Sequence, residues 1–169
     1  ETFVDGMGRE RQQYSGDGAH LLHATRLACG DRQLARRFLR TYPMGQAPDG
    51  YFLDCWPAFD RLNRVAQRHV GATAWGPLLD HGVTLVYDAW RHHRETGETD
   101  LPLDLYPRFV RFADYLLARR GKDGLLPVEG WGVPAVWIDN CFPRPRHKQC
   151  AFNLFAAAIL KLALLPSSM

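Results

Sequence analysis

An all-α fold is predicted for this 169-residue chain by three observations. Apolar residues recur at intervals of three and four in several stretches, each bounded by Gly, Pro or Asp. No run alternates apolar and polar residues as a half-buried strand would, and the last apolar stretch is apolar on nearly every face. Residues are 46% hydrophobic and 23% charged, which suits one domain with a sizeable core and excludes a disordered chain.

The first helix opens around Gly16-Asp17-Gly18, carries Leu21, Leu22, Leu27 and Ala28, and stops at Gly30. Asp17 reads as its N-cap, accepting hydrogen bonds from the free amides of the first turn. Asp31 caps a second helix with Leu34, Ala35, Phe38, Leu39 and Tyr42 at helical spacing, and Pro43 stops it. From Met44 to about Pro57 the Gly, Pro and Asp content predicts a loop, with Tyr51, Phe52 and Trp56 folding back on the core. Trp75, Leu79, Val83, Val86 and Trp90 then form one face of a helix that runs to about Glu95 and ends at Thr96-Gly97. Asp100 opens the next, where Leu105, Phe109, Phe112 and Leu116 lie beside Tyr106, Val110, Ala113 and Leu117 before Gly121. These two helices should pack antiparallel across their short turn. Lys122 to Pro145 reads as loop.

The last helix, Gln149 to about Leu165, carries Phe152, Leu154, Phe155, Ile159, Leu162, Leu164 and Leu165. Being apolar all round, it is expected to be buried all round. Leaving it wet would forfeit about 1.5–3 kcal/mol for each large apolar side chain. Self-association through this helix is therefore expected, or a natural polypeptide that continues beyond Met169.

Charge and cysteine usage narrow the function classes. The net charge of +3 comes from scattered arginines, with Arg36-Arg37 and Arg119-Arg120 where helix ends fall. The one basic run, Arg144-Pro145-Arg146-His147-Lys148, contains proline and reads as a solvated loop, so no nucleic-acid partner is expected. No stretch reaches the roughly 18 apolar residues of a membrane span, so no membrane partner is expected either. Cys29, Cys55, Cys141 and Cys150 lack a C-x-x-C spacing and fit a reduced interior, which favours a cytoplasmic location without fixing the compartment. His20 and His23, and the pair His92-His93, have no third ligand at a familiar spacing, so no metal is expected. There is no G-x-G-x-x-G, P-loop or G-x-S-x-G, and no cofactor is expected.

The most informative stretch is Asp5-Gly6-Met7-Gly8-Arg9-Glu10-Arg11-Gln12-Gln13-Tyr14-Ser15-Gly16-Asp17. Three carboxylates and two arginines crowd around a turn that leads into a helix. Like charges at close range raise one another's pKa, and desolvation adds to the shift, so one carboxyl can hold its proton near neutral pH. A protonated carboxyl beside ionised ones is what glycoside hydrolysis requires.

This stretch resembles the catalytic signature of the bacterial α-L-rhamnosidases, and its Asp-to-Glu-to-Asp spacing fits without a gap. Later segments follow the same order: Leu85 to Pro127, with Tyr87, Gly97-Glu98-Thr99-Asp100, Tyr106-Pro107 and Lys122-Asp123-Gly124-Leu125-Leu126, and then Trp131 and Trp137-Ile138-Asp139. The likeness covers most of the chain, and only the first motif is specific. The family usually has Asp-Cys-Pro where Asp5-Gly6-Met7 stands and Gly-Trp where Gln13-Tyr14 stands, which alters the sugar-facing wall.

The resemblance implies an (α/α)6 barrel, of which about five helices with long loops would be roughly the first half. Residues 1–169 would then be a partial catalytic domain, truncated at both ends. It implies Glu10 as general acid, and Asp5 and Asp17 as carboxylates that bind sugar hydroxyls or tune the acid. Arg9 and Tyr14 would line the substrate, with Tyr14 stacking on a sugar face. Trp131, Trp137 and Asp139 would form a platform and a hydroxyl acceptor, although core packing explains either tryptophan alone. The substrate would be a terminal α-L-rhamnoside, cleaved with inversion. The family's base is a glutamate far downstream, which makes Glu129 a poor substitute and the chain alone inactive. Glu10 in an ion pair with Arg9 or Arg11 is the competing reading of that residue. A non-catalytic carbohydrate-binding module, or a six-hairpin glycosidase for another sugar, are the competing readings of the whole.

Overall fold

The computed structural model describes residues 3–4, 12–57, 78–128, 136 and 150–164. Among these the fold is all-α: α1 (Ser15–Cys29), α2 (Gln33–Thr41), α3 (Leu79–Thr96), α4 (Asp100–Leu117) and α5 (Cys150–Leu164), with two isolated bridges and no strand. None of these helices is long and apolar enough to cross a membrane. The helix α3 is the centre, packing against the other four.

The chain enters α1 from a short extended segment. Tyr14 pairs with Cys55 in an antiparallel bridge, and the Trp56 amide donates to the Gln13 carbonyl at 3.1 Å. The Gln13 side-chain amide donates in turn to the Trp56 carbonyl at 2.6 Å and to Thr41 Oγ1 at 3.2 Å. This pinning sets where the helix begins. Tyr14 occupies the N-cap position, its carbonyl accepts from Gly18 at 2.9 Å, and no side chain caps the end. Asp17 is therefore a residue of the first helical turn and not the cap that the sequence suggests. Its charge still complements the positive end of the helix. At the other end Gly30 adopts φ 67° and donates to the Arg26 carbonyl at 2.9 Å, closing α1 where expected.

Asp31 does cap α2, its Oδ1 accepting from the amides of Gln33 at 2.8 Å and Leu34 at 3.2 Å. Ala35, Phe38, Leu39 and Tyr42 are buried, and Leu34 packs partly against the same core. A Cβ on Gly18 would stand 2.5 Å from the Phe38 ring, so glycine is what allows α1 to approach α2. Past Thr41 the chain tightens into a 3₁₀ turn, Tyr42–Gly45, that carries Pro43. The loop behind it folds back as expected. Tyr51 and Phe52 lie against Tyr115 and Phe112 with ring centroids 5.3 Å apart in both pairs, and Trp56 packs partly on the core. Gln46 fastens this loop to α4 by donating to the Arg108 carbonyl at 2.8 Å.

The third helix begins at Leu79; Trp75, which the sequence places on its face, lies outside the described residues. Gly97, at φ 74°, turns α3 into α4. Pro107 sits inside α4, where it removes one intrahelical hydrogen bond. Buried Leu105, Phe109 and Phe112 on either side hold the helix to the core.

Helix α5 is covered by the described residues on one side. Phe152, Ala156 and Ile159 are buried, whereas Ala151, Ala157 and Ala158 are exposed and Leu154 is 68% exposed. Among the described helices, α3 and α4 are the ones that pack closely against it, and they cover one of its faces. Asn153 ties its first turn to the preceding loop: the Leu126 amide donates to Asn153 Oδ1 at 2.8 Å, and Asn153 Nδ2 donates to the Leu126 carbonyl at 3.1 Å.

Candidate functional site

The beginnings of α1 and α3 lie together, because the extended segment before α1 is bound to the loop that ends beside α3. A cleft of about 530 Å³ opens between the two helices. Gly16, Asp17, His20 and His23 line it from α1, and Asp80, His81, Thr84, Tyr87, Asp88 and Arg91 from α3, while Phe155 of α5 closes one side.

Two of the residues expected from the sequence meet here. Asp17 lines the cleft, partly exposed. Tyr14 is half-buried at its edge, with its ring 5.9 Å from that of His81 and the planes at 81°. Its neighbours Gln12 and Gln13 are buried. Glu10, Asp5, Arg9, Trp131, Trp137 and Asp139 lie outside the described residues, as do Glu129 and the basic run 144–148.

Residues that the sequence reading passed over contribute more of the described wall. His81 Nδ1 is 3.1 Å from the Asp54 carbonyl oxygen, so Nδ1 carries the proton and donates. The Nε2 edge of the ring faces α1, where a Cβ on Gly16 would come within 2.9 Å of it. Beneath this pair the Tyr42 hydroxyl lies 2.6 Å from the Leu53 carbonyl and 2.9 Å from that of Asp54, one proton shared between two acceptors. Burial pushes the Tyr42 hydroxyl well above its usual pKa, and the charges of Asp54 and Asp80 add to the effect. Burial also raises the Asp54 carboxyl, opposed by His81 and by the backbone amides of Cys55 and of Asp54 itself.

The far wall is an arginine network. Arg91 Nη2 contacts both ring nitrogens of His23, the Nε2 contact being 2.8 Å, and Arg26 Nη2 approaches Nδ1 at 3.4 Å. Glu95 binds both arginines, at 2.6 Å to Arg26 and 2.9 Å to Arg91. Between the walls stands Asp88, 6% exposed, whose Oδ2 has no hydrogen-bond partner among the described residues. Burial raises its carboxyl well above the ordinary range; Arg91 opposes this and Glu95 reinforces it.

A signal for this wall exists in the sequence. Asp80, Thr84 and Asp88 recur every four residues, so they form one stripe along α3, next to the apolar stripe that carries the helix assignment. Polar residues in step on a helix flanked by apolar ones on both sides point to a polar cavity. Among the described residues no group of three or more His, Cys, Asp and Glu side chains is placed to hold a metal ion. Compared with protein-family models, with curated proteins and with solved structures, the chain matches none.

Proposed function

We propose that this chain is part of the catalytic domain of an inverting glycoside hydrolase acting on terminal α-L-rhamnosides, roughly the first half of an (α/α)6 barrel. One observation carries the reading: the Asp5, Glu10, Asp17 motif runs directly into a helix whose Asp17 lines a cleft with further carboxylates on its opposite wall. Glu10 is the general acid that protonates the departing glycosidic oxygen. Asp5, Asp17 and Asp139 accept hydroxyl hydrogen bonds, Arg9 supports them by charge, and Tyr14, Trp131 and Trp137 offer aromatic faces to the apolar side of the sugar. The base that activates water from the other face belongs to a part of the enzyme outside residues 1–169.

In this reading the isolated chain binds rhamnose and does not turn over. The test is hydrolysis of an aryl α-L-rhamnoside by the complete encoded polypeptide. Glu10→Gln in that enzyme should lower turnover of poor leaving groups far more than of activated aryl ones; equal losses remove the acid role. Rhamnose binding that survives Glu10→Gln, with no turnover in any length of chain, would identify a carbohydrate-binding module instead. Turnover of a different glycoside would keep the reaction and change the sugar.

A further inference from the structure

We infer that Asp88, on the floor of the cleft between α1 and α3, is a binding residue for a neutral polyhydroxylated ligand, exchanging hydrogen bonds with one of its hydroxyl groups. The inference rests on the cleft being the sugar site proposed above, and it assigns a residue that the rhamnosidase-like motif does not contain.

The placement of Asp88 has no structural explanation within the fold. Its side chain lies mid-helix on α3, far from either helix end; Oδ2 is buried without a partner among the described residues, while the residue keeps 6% exposure and lines the cleft, where a ligand can meet it. Burying Oδ2 disfavours folding, because that oxygen leaves the hydrogen bonds of water and gains none among the described residues, and the charge of Arg91 offsets this only in part. Apolar residues fill neighbouring positions of the same helix without difficulty, Val83, Leu85, Val86 and Ala89 among them. A group retained against this cost at the wall of a cleft is what a binding site requires and what a core does not.

The chemistry of the cleft selects the ligand. Asp17 and Asp80 repel an anion, Arg91 repels a cation, and the described side chains offer no metal site. Low solvent access favours the uncharged carboxyl, which has one donor and one acceptor and so matches a hydroxyl group in both directions. Tyr87 and Phe155, with ring centroids 5.6 Å apart, give the cleft an apolar side suited to the C–H face of a sugar ring. The volume falls in the range of about 300–1,000 Å³ typical of small-molecule sites.

The experiment is calorimetric titration of the chain with L-rhamnose, L-fucose and D-mannose, alongside thermal melts, for the native protein, Asp88→Leu and Asp88→Asn. The native chain should bind at least one of the three. Asp88→Leu should melt higher and bind at least tenfold more weakly, while Asp88→Asn, which keeps a donor and an acceptor, should bind within about threefold of native. Unchanged binding by Asp88→Leu would overturn the inference, leaving a buried water as the carboxyl's companion; so would a lower melting temperature for that variant, which would make the group structural. Failure of the native chain to bind any of the sugars also overturns it, even if the complete enzyme cleaves rhamnosides. Sugar binding that depends on Asp88 in a protein that cleaves nothing would sustain this inference and remove the hydrolase reading.

Discussion

At the scale of single residues, two positions show how much the packing depends on small differences. Gly18 lies inside α1, where alanine would ordinarily favour the helix by about 1 kcal/mol. Here the added methyl would strike the fully buried Phe38 ring. Gly18→Ala should therefore lower stability by about 1–3 kcal/mol in urea unfolding, because overpacking outweighs propensity. Asp88 makes a prediction in pH. Its folded pKa lies above the unfolded one, so its contribution to stability is full below the unfolded value of about 3.9 and is lost as pH rises through the folded value. Asp88→Asn should remove that loss, so the variant should gain on the native protein as pH goes from about 4 to neutral. Parallel pH dependences of the two proteins would show that Asp88 is not the titrating group.

Elements were legible in the sequence where their limits are set locally. Gly30 and Gly97 end their helices as left-handed caps, Asp31 begins α2, and the buried face of α2 follows its helical spacing. Asp31→Ala should cost about 1 kcal/mol, read as a shift in denaturation midpoint, since two amides lose their acceptor. The beginning of α1 was not legible in the same way. Contacts with Cys55 and Trp56, some forty residues away, fix the chain before Ser15, and that pairing leaves no trace in local spacing. The candidate site divides likewise. Asp17 and Tyr14 stand in one continuous motif and could be picked out, whereas His81 and Asp88 come to the cleft only through the packing of α1 on α3. At the α3–α4 turn, Arg36 binds Glu98 and, at 2.5 Å, Asp100, whose carboxyl is held at about 2. Gly97-Glu98-Thr99-Asp100 thus has a structural use in anchoring α2 to the hairpin.

Considered whole, the described residues form a helical body with one open apolar side. The apolar circumference of α5 was legible in the sequence, but which face its neighbours cover was not, because apolar composition does not record where the neighbouring helices stand. Its outward face, centred on Leu154, is available for another surface. Leu154→Glu should reduce any concentration-dependent association of the chain, measured by analytical ultracentrifugation, while leaving the melting temperature within about 2 °C. A monomer at every concentration for the native protein would show that this face has no use for a second copy.

The reciprocal pair between Asn153 and the backbone of Leu126 has a kinetic meaning for the molecule. A side-chain carboxamide that mimics a strand partner gives one loop residue the protection of a sheet without any sheet being present. Deuterium should therefore enter the Leu126 amide at the pace of α5 unfolding and not at the pace of surface loops. A protease that cuts at Leu126 itself would be reporting that the final helix had already come away.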